Sequence, residues 1–143
     1  MNHSNKTVCV VGASGLLGSN VLKEAVARGY KVNGTMRDVN APGKATFLNA
    51  LPNAEANLRL FEAEMADKAS FDDAFSNVDC VFIACLIPVY KGPTGKPARE
   101  MDDEQGYAEI IMPTVNGCLN IMNAAAKQKV KNVVICSSTS STN

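Results

Sequence analysis

Three glycines at three-residue spacing, Gly12, Gly15 and Gly18, stand between two patterns of different period. Before them the run V-C-V-V at 8–11 is apolar and mostly β-branched, as in a buried strand. After them, residues 16–28 carry apolar side chains at helical spacing. Strand, glycine turn and helix together make a cradle for an anion such as the pyrophosphate of a dinucleotide. Gly12 lets the chain turn off the strand. Gly15 leaves room for a phosphate beside the backbone, and Gly18 lets the helix pack closely. The helix opens with unpaired N–H groups and the positive end of its dipole.

A second cluster of chemistry follows the next strand. A carboxylate there normally holds the adenosine ribose hydroxyls and repels a 2′-phosphate. This chain has Met36 at that position, then Arg37, with Lys44 close in sequence. A guanidinium suits a phosphate in bidentate or stacked geometry. The residues therefore favour NADP(H) over NAD(H). Asp38 keeps the NAD role open if the strand ends one residue later. Glu64 follows a third strand, where a carboxylate can accept from an adenine amino group or simply face solvent. Ser138 follows the fifth, where a hydroxyl can bond a substrate carbonyl; its S-S-T-S-S-T-N surroundings also suit a solvated terminus.

These residues need a scaffold. Helix one is expected over 16–28, with Leu17, Val21, Leu22 and Ala25 on its buried stripe and Gly29 as its cap. Strand two spans 31–36, weakened by Asn33 and Gly34; Gly34 suits close approach by the helix or the cofactor. A short helix over 44–51 stops near Pro52. Strand three spans 58–63. Ser70 is placed to cap a helix holding Phe71, Ala74 and Phe75. Strand four spans 79–85, and residues 88–97 form a loop lining the site. A long helix over 102–127 buries Ile110, Ile111, Val115, Leu119, Met122 and Ala126, bent at Pro113. Strand five spans 132–136. The alternation predicts an α/β fold, a doubly wound parallel sheet in the order 3-2-1-4-5, with its crevice at the carboxyl ends of strands one and four. Strand five would be an open edge, and the sheet face beside it would be partly bare, so self-association is expected.

Composition bounds the rest. The 143 residues suit one domain, and the 46% hydrophobic and 20% charged fractions are those of a soluble globular protein. Fourteen basic and fourteen acidic residues cancel, so nothing marks a nucleic-acid or anionic-membrane partner. No apolar run approaches the ~20 residues of a membrane span. Five cysteines, an odd number without a C-x-x-C pair, read as small buried hydrophobes in a reducing, cytoplasmic setting. With His3 as the sole histidine, and that one expected in solvent, no metal site is expected.

The G-x-x-G-x-x-G spacing resembles that of the extended short-chain dehydrogenase/reductases, the epimerase/dehydratase superfamily, whose turn often reads G-A-T-G-F-I-G. V-N-G-T-M-R-D at 32–38, E-A-E-M-A-D-K-A-S-F-D-D-A at 62–74 and V-D-C-V-F-I-A at 78–84 resemble successive segments of its dihydroflavonol reductase and cinnamoyl-CoA reductase branch. E-I-I-M-P-T-V-N-G-C-L-N-I-M at 109–122 and V-K-N-V-V-I-C-S-S-T-S at 130–140 resemble two more, in the right order. The resemblance implies that Gly12, Ser14, Gly15, Leu16, Leu17 and Gly18 meet the pyrophosphate. It places Arg37, with Lys44, at the 2′-phosphate. Glu64 and Met65 would flank the adenine, Ala84 and Cys85 the path to the nicotinamide ribose. Ser138 matches the serine of the family's Ser-Tyr-Lys set.

Two departures stand out. The segment I-A-C-L-I-P at 83–88 is about one residue longer than the family's H-x-A-x-P. The family's Y-x-x-x-K is absent: the fourth residues after Tyr30, Tyr90 and Tyr107 are Gly34, Thr94 and Ile111. The resemblance thus implies the N-terminal, NADP(H)-binding part of a reductase, truncated after strand five. The intact form would reduce a small-molecule carbonyl by hydride transfer. A non-catalytic NADP-binding sensor and an inactive truncated fragment are the alternatives.

Overall fold

The computed structural model describes residue 3, residues 5–85 and residues 91–137. Five parallel strands, β1 (Thr7–Val11), β2 (Lys31–Met36), β3 (Leu58–Glu62), β4 (Cys80–Ile83) and β5 (Asn132–Ile135), form one sheet in the order β3-β2-β1-β4-β5. The expected doubly wound Rossmann-type fold is therefore present. Alternation along each strand sends side chains to two cores. Val8 and Val10 join Leu22, Ala25 and Val26 of α1 (Leu16–Ala27) and Leu48 of α2 (Lys44–Asn49). Cys9, Val11, Val81 and Ile83 face Phe71, Phe75 and Ile121 on the other side.

Short helices α3 (Ala54–Asn57) and α4 (Asp72–Phe75) flank β3, and α3 has no counterpart in the apolar pattern. Ser70 does not cap α4. Its hydroxyl donates to the carbonyls of Glu64 and Asp67 and accepts from the Glu64 N–H at 3.1 Å, so it ties the turn after β3 instead. Gly34 is needed where α1 crosses β2: a Cβ there would stand 3.0 Å from Ala13, Leu22 and Leu60 side chains. Asn33 is buried and donates to the Ala74 carbonyl at 2.8 Å, which reconciles a polar residue with a central strand. His3 stacks on Tyr30, ring centroids 4.4 Å apart, rather than standing in solvent.

The long helix is continuous but changes pitch. It runs as α5 (Asp103–Gly106), a π-turn (Tyr107–Ile111) and α6 (Met112–Lys127). The Asp102 carboxylate caps it by accepting from the Gln105 N–H at 2.8 Å. Pro113 has no N–H to close an α-turn on residue 109, and the wider turn lies directly before it.

The expected buried face of this helix is wrong. Gly117, Asn120, Ile121, Ala124 and Ala125 face the core, whereas Ile111, Val115, Leu119 and Met122 are exposed. The helix crosses the turn after β3 at Met65, where it meets both that residue's side chain and its carbonyl. A Cβ at Gly117 would lie 2.8 Å from Met65 Cε, and Asn120 donates to the Met65 carbonyl at 2.9 Å. A small residue and a hydrogen-bond donor fit that contact better than branched apolar side chains do.

Among the described residues β5 pairs only with β4, which leaves it at the edge of the sheet, and Val134 and Ile135 are exposed. On the α1 side of β4, a cavity of about 620 Å³ lies over Val8, Val21, Ala25, Cys80 and Phe82. No helix among the described residues is long and apolar enough to cross a membrane.

Candidate functional site

At the carboxyl end of the sheet, a crevice of about 730 Å³ runs from the glycine turn to the ends of β2, β3 and β4. β1 delivers Val11 to its floor. Gly12 then turns the chain with φ +82°, a left-handed conformation open to glycine. A side chain there would also collide with Cys85, its Cβ 2.8 Å from the Cys85 Cβ. The Ala13 N–H donates to the Thr35 carbonyl at 2.8 Å, and the Ala84 N–H to the Val11 carbonyl at 3.0 Å, so three strand ends are locked together under the turn.

Gly15 is the N-cap of α1, and no side chain caps that end. The first turn of the helix holds no acidic residue. Its orphan N–H groups and positive dipole end therefore open beside Ser14, Gly15, Leu16 and Leu17, which line the crevice. Gly15 has ordinary extended dihedrals, and a Cβ on it would meet only the Gly12 carbonyl at 3.4 Å. Its openness serves whatever approaches from the crevice rather than the fold.

Gly18 lies deeper. It is buried, and a Cβ there would stand 2.8 Å from the Gly12 carbonyl carbon. Gly18 thus seats α1 on the turn and does not reach the crevice wall. Gly18→Ala is expected to lower stability by about 3 kcal/mol, because backbone rather than a flexible side chain must move. Urea unfolding of the two chains measures it.

The opposite wall comes from β2 and β3. Met36 ends β2, buried, and Arg37 follows, exposed on the crevice rim. Asp38 is drawn into its own turn, its carboxylate accepting from the Asn40 N–H at 2.8 Å. Lys44 begins α2 and does not line the crevice. Glu64 and Met65 follow β3 on the turn that Ser70 ties, and both line the crevice. Met65 Sδ lies 3.7 Å from Cys85 Sγ, closing the floor between β3 and β4. Burial raises the pKa of the Cys85 thiol, as it does more strongly for Cys9. These cysteines are neutral packing groups, whereas Cys118 is exposed, against expectation.

The fold thus assembles Gly12, Ser14, Gly15, Leu16, Leu17, Arg37, Glu64, Met65, Ala84 and Cys85 in one crevice, and leaves Gly18 and Lys44 outside its lining. Ser138, and the 86–88 part of the lengthened segment, lie outside the described residues. Residues 91–97 do not line the crevice. They turn back in a hairpin, with Lys91 bridged to Pro97 and the Lys96 ammonium donating to Gln105 at 2.8 Å. Thr35 and Phe71 line the crevice without having been singled out. Thr35 had a signal in its place one residue before the end of β2; Phe71 reaches the site only through tertiary packing.

The shape of the crevice and the chemistry of its donors fit a dinucleotide: an uncapped helix start at one end, an arginine at the other, and apolar walls between. The sequence family described as NAD(P)H-binding matches residues 12–143. The chain belongs to that family. It is 38% identical over its whole length to a dihydroflavonol 4-reductase of Arabidopsis thaliana, of which it covers 35%. Vestitone reductase of alfalfa (Medicago sativa) superposes with a TM-score of 0.69 at 31% identity, over 94% of this chain and 36% of that one. Gre2 of Candida albicans, solved in complex with NADPH, superposes with a TM-score of 0.71 at 25% identity, over 93% and 37%. The chain spans little more than a third of the length of these relatives. Its NAD(P)H-binding fold corresponds to one part of such reductases.

Proposed function

We propose that residues 1–143 form one NADP(H)-binding unit of a reductase like the dihydroflavonol 4-reductases. The longer protein would transfer a hydride from NADPH to the carbonyl of a small molecule. The observation that carries the cofactor choice is at the end of β2. Met36 is not acidic, Asp38 is engaged with Asn40, and Arg37 stands on the crevice rim.

In this reading the Leu16 and Leu17 N–H groups hold the pyrophosphate, aided by the α1 dipole, while the Gly15 N–H donates to the Gly12 carbonyl within the turn. Arg37 binds the 2′-phosphate through charge-assisted hydrogen bonds, with Lys44 adding longer-range attraction. Glu64 accepts from the adenine amino group, and Met65 covers the ring. Ala84 and Cys85 leave a narrow apolar path for the nicotinamide ribose. The bound cofactor supplies the hydride. Ser138 orients the carbonyl oxygen by donating a hydrogen bond, and a tyrosine–lysine pair outside these 143 residues protonates it. A cytoplasmic setting accords with the free thiols of Cys9, Cys80, Cys85, Cys118 and Cys136.

The test is a pair of fluorescence titrations. NADPH is expected to bind at least about tenfold more tightly than NADH, since a charge-assisted phosphate contact is worth roughly 1.5–3 kcal/mol. Arg37→Ala is expected to erase most of that difference while leaving NADH affinity unchanged. Equal affinities in the parent chain would refute the NADP preference.

A further inference from the structure

We propose that the amino end of the sheet carries a second ligand site, which takes a small sugar phosphate. It lies at the opposite end of the strands from the dinucleotide crevice. A pocket of about 400 Å³ opens there, within the ~300–1,000 Å³ range of small-molecule sites. Its cause is a short helix. α4 is a single turn of four residues, and Ala74 and Phe75 are its buried ones. The chain then leaves through Ser76 and Asn77, whose side chains bond each other at 3.3 Å and form one wall. Glu55, Ala56 and Asn57 of α3 form the other. Strand register sets the floor. Cys9 of β1 pairs with Asn33 of β2, Asn33 with Arg59 of β3, and Thr7 with Lys31. Residues two apart, or paired across parallel strands, share a face. Thr7, Lys31, Asn33 and Arg59 therefore all lie on the α4 face. Two residues along β3 the same face is apolar, with Phe61 packed on the core.

The fold does not use up the polar groups of this floor. Asn33 is 8% exposed, and its Nδ2 donates to the Ala74 carbonyl. No hydrogen bond among the described residues reaches its Oδ1. An acceptor left free on the floor of a pocket calls for a hydroxyl from a ligand. Lys31 and Arg59 are exposed at the rim, and no ion pair among the described residues involves either. A guanidinium and an ammonium beside one pocket suit a phosphate, the guanidinium in bidentate geometry. The Glu55 carboxylate also lines the pocket and pairs with neither cation. It repels a bare anion but accepts from a hydroxyl, as Asn33 does. Phosphate for the two cations and hydroxyls for the two acceptors together describe a sugar phosphate. The pocket and the dinucleotide crevice share no lining residue, so both can be filled at once.

The whole 143-residue chain is titrated with ribose 5-phosphate and followed by amide NMR spectra. The signals of Lys31, Asn33, Asn57 and Asn77 are expected to shift saturably, and added NADPH should leave that curve unchanged. Arg59→Ala should weaken binding at least about tenfold, as expected for a lost charge-assisted contact. Glu55→Gln should tighten it, since it removes a repulsion and keeps an acceptor. Both side chains are exposed, so thermal unfolding of the free chains should not change. Ribose without its phosphate should move none of these signals. The absence of a saturable shift at these residues would overturn the proposal. So would shifts confined to Gly15, Leu16 and Arg37, or an affinity that Arg59→Ala leaves intact. Inorganic phosphate bound as tightly as the ester would overturn it as well, since the pocket would then hold an adventitious ion only.

Discussion

The Gly15→Val chain is expected to fold normally and to bind NADPH about 100-fold or more weakly than the parent. The two halves of that expectation rest on different observations. Folding survives because Gly15 has φ −80° and ψ 166°, dihedrals a valine adopts freely, and a Cβ there meets only one atom, at 3.4 Å. Binding fails because the same side chain projects where the start of α1 opens into the crevice. Losing two charge-assisted hydrogen bonds to the pyrophosphate, at roughly 1.5–3 kcal/mol each, already accounts for the factor of 100. Isothermal titration with NADPH and a circular-dichroism melt decide it together. Intact affinity with a native melt would show that the anion sits elsewhere. Gly18→Ala provides the contrast: it should unfold earlier, while the molecules still folded keep most of their cofactor affinity.

The second large effect concerns turnover. The polypeptide of residues 1–143, purified alone, is expected to oxidise NADPH with aldehydes, ketones or dihydroflavonols no faster than the uncatalysed rate. A hydride delivered to a carbonyl leaves an alkoxide that must be protonated as it forms, and general-acid help is typically worth about 10²–10⁴-fold. The residues that line the described crevice include no tyrosine and no lysine. Tyr30 lies beside His3 at the amino end of β2, the far end of the sheet, and Tyr107 is exposed in the π-turn. Cofactor binding should persist, because the residues proposed for it are assembled without those groups. Turnover near one per second that vanished in Ser138→Ala would refute the prediction, and would mean that Tyr90 or a second subunit completes the site.

The sheet was legible because its cause is local. The V-C-V-V run, the glycine turn and the apolar helix that follows are each specified by neighbouring residues, and alternation of strand with helix leaves one handed way to connect them. Most of the crevice lining could be read for the same reason, since its residues sit at strand ends and strand ends were marked by Gly12, Met36, Glu64 and Cys85. The positions that resisted are those where distant segments meet. Ser70 has the composition of a helix cap but serves the turn after β3, because Glu64 and Asp67 carbonyls stand within its reach. Residues 91–97 have the composition of a site loop, yet one lysine clasps them to Gln105, off the crevice.

Strand order, the glycine turn before α1 and the arginine beside a non-acidic strand end were all legible in the residues alone. All of these follow from residue type and short spacing. Which face of α6 is buried follows from long-range packing. Periodicity finds an apolar stripe, and α6 has two candidate faces. Helix α6 crosses the chain at Met65, so the face with a glycine beside the Met65 side chain and an asparagine on the Met65 carbonyl goes inward, and the stripe of Ile111, Val115 and Met122 stays outside. Only the tertiary structure, likewise, separated Gly15 from Gly18. Both are glycines of one motif. One faces open space at the start of a helix and the other presses on the carbonyl of Gly12, because the turn folds back over the helix it begins.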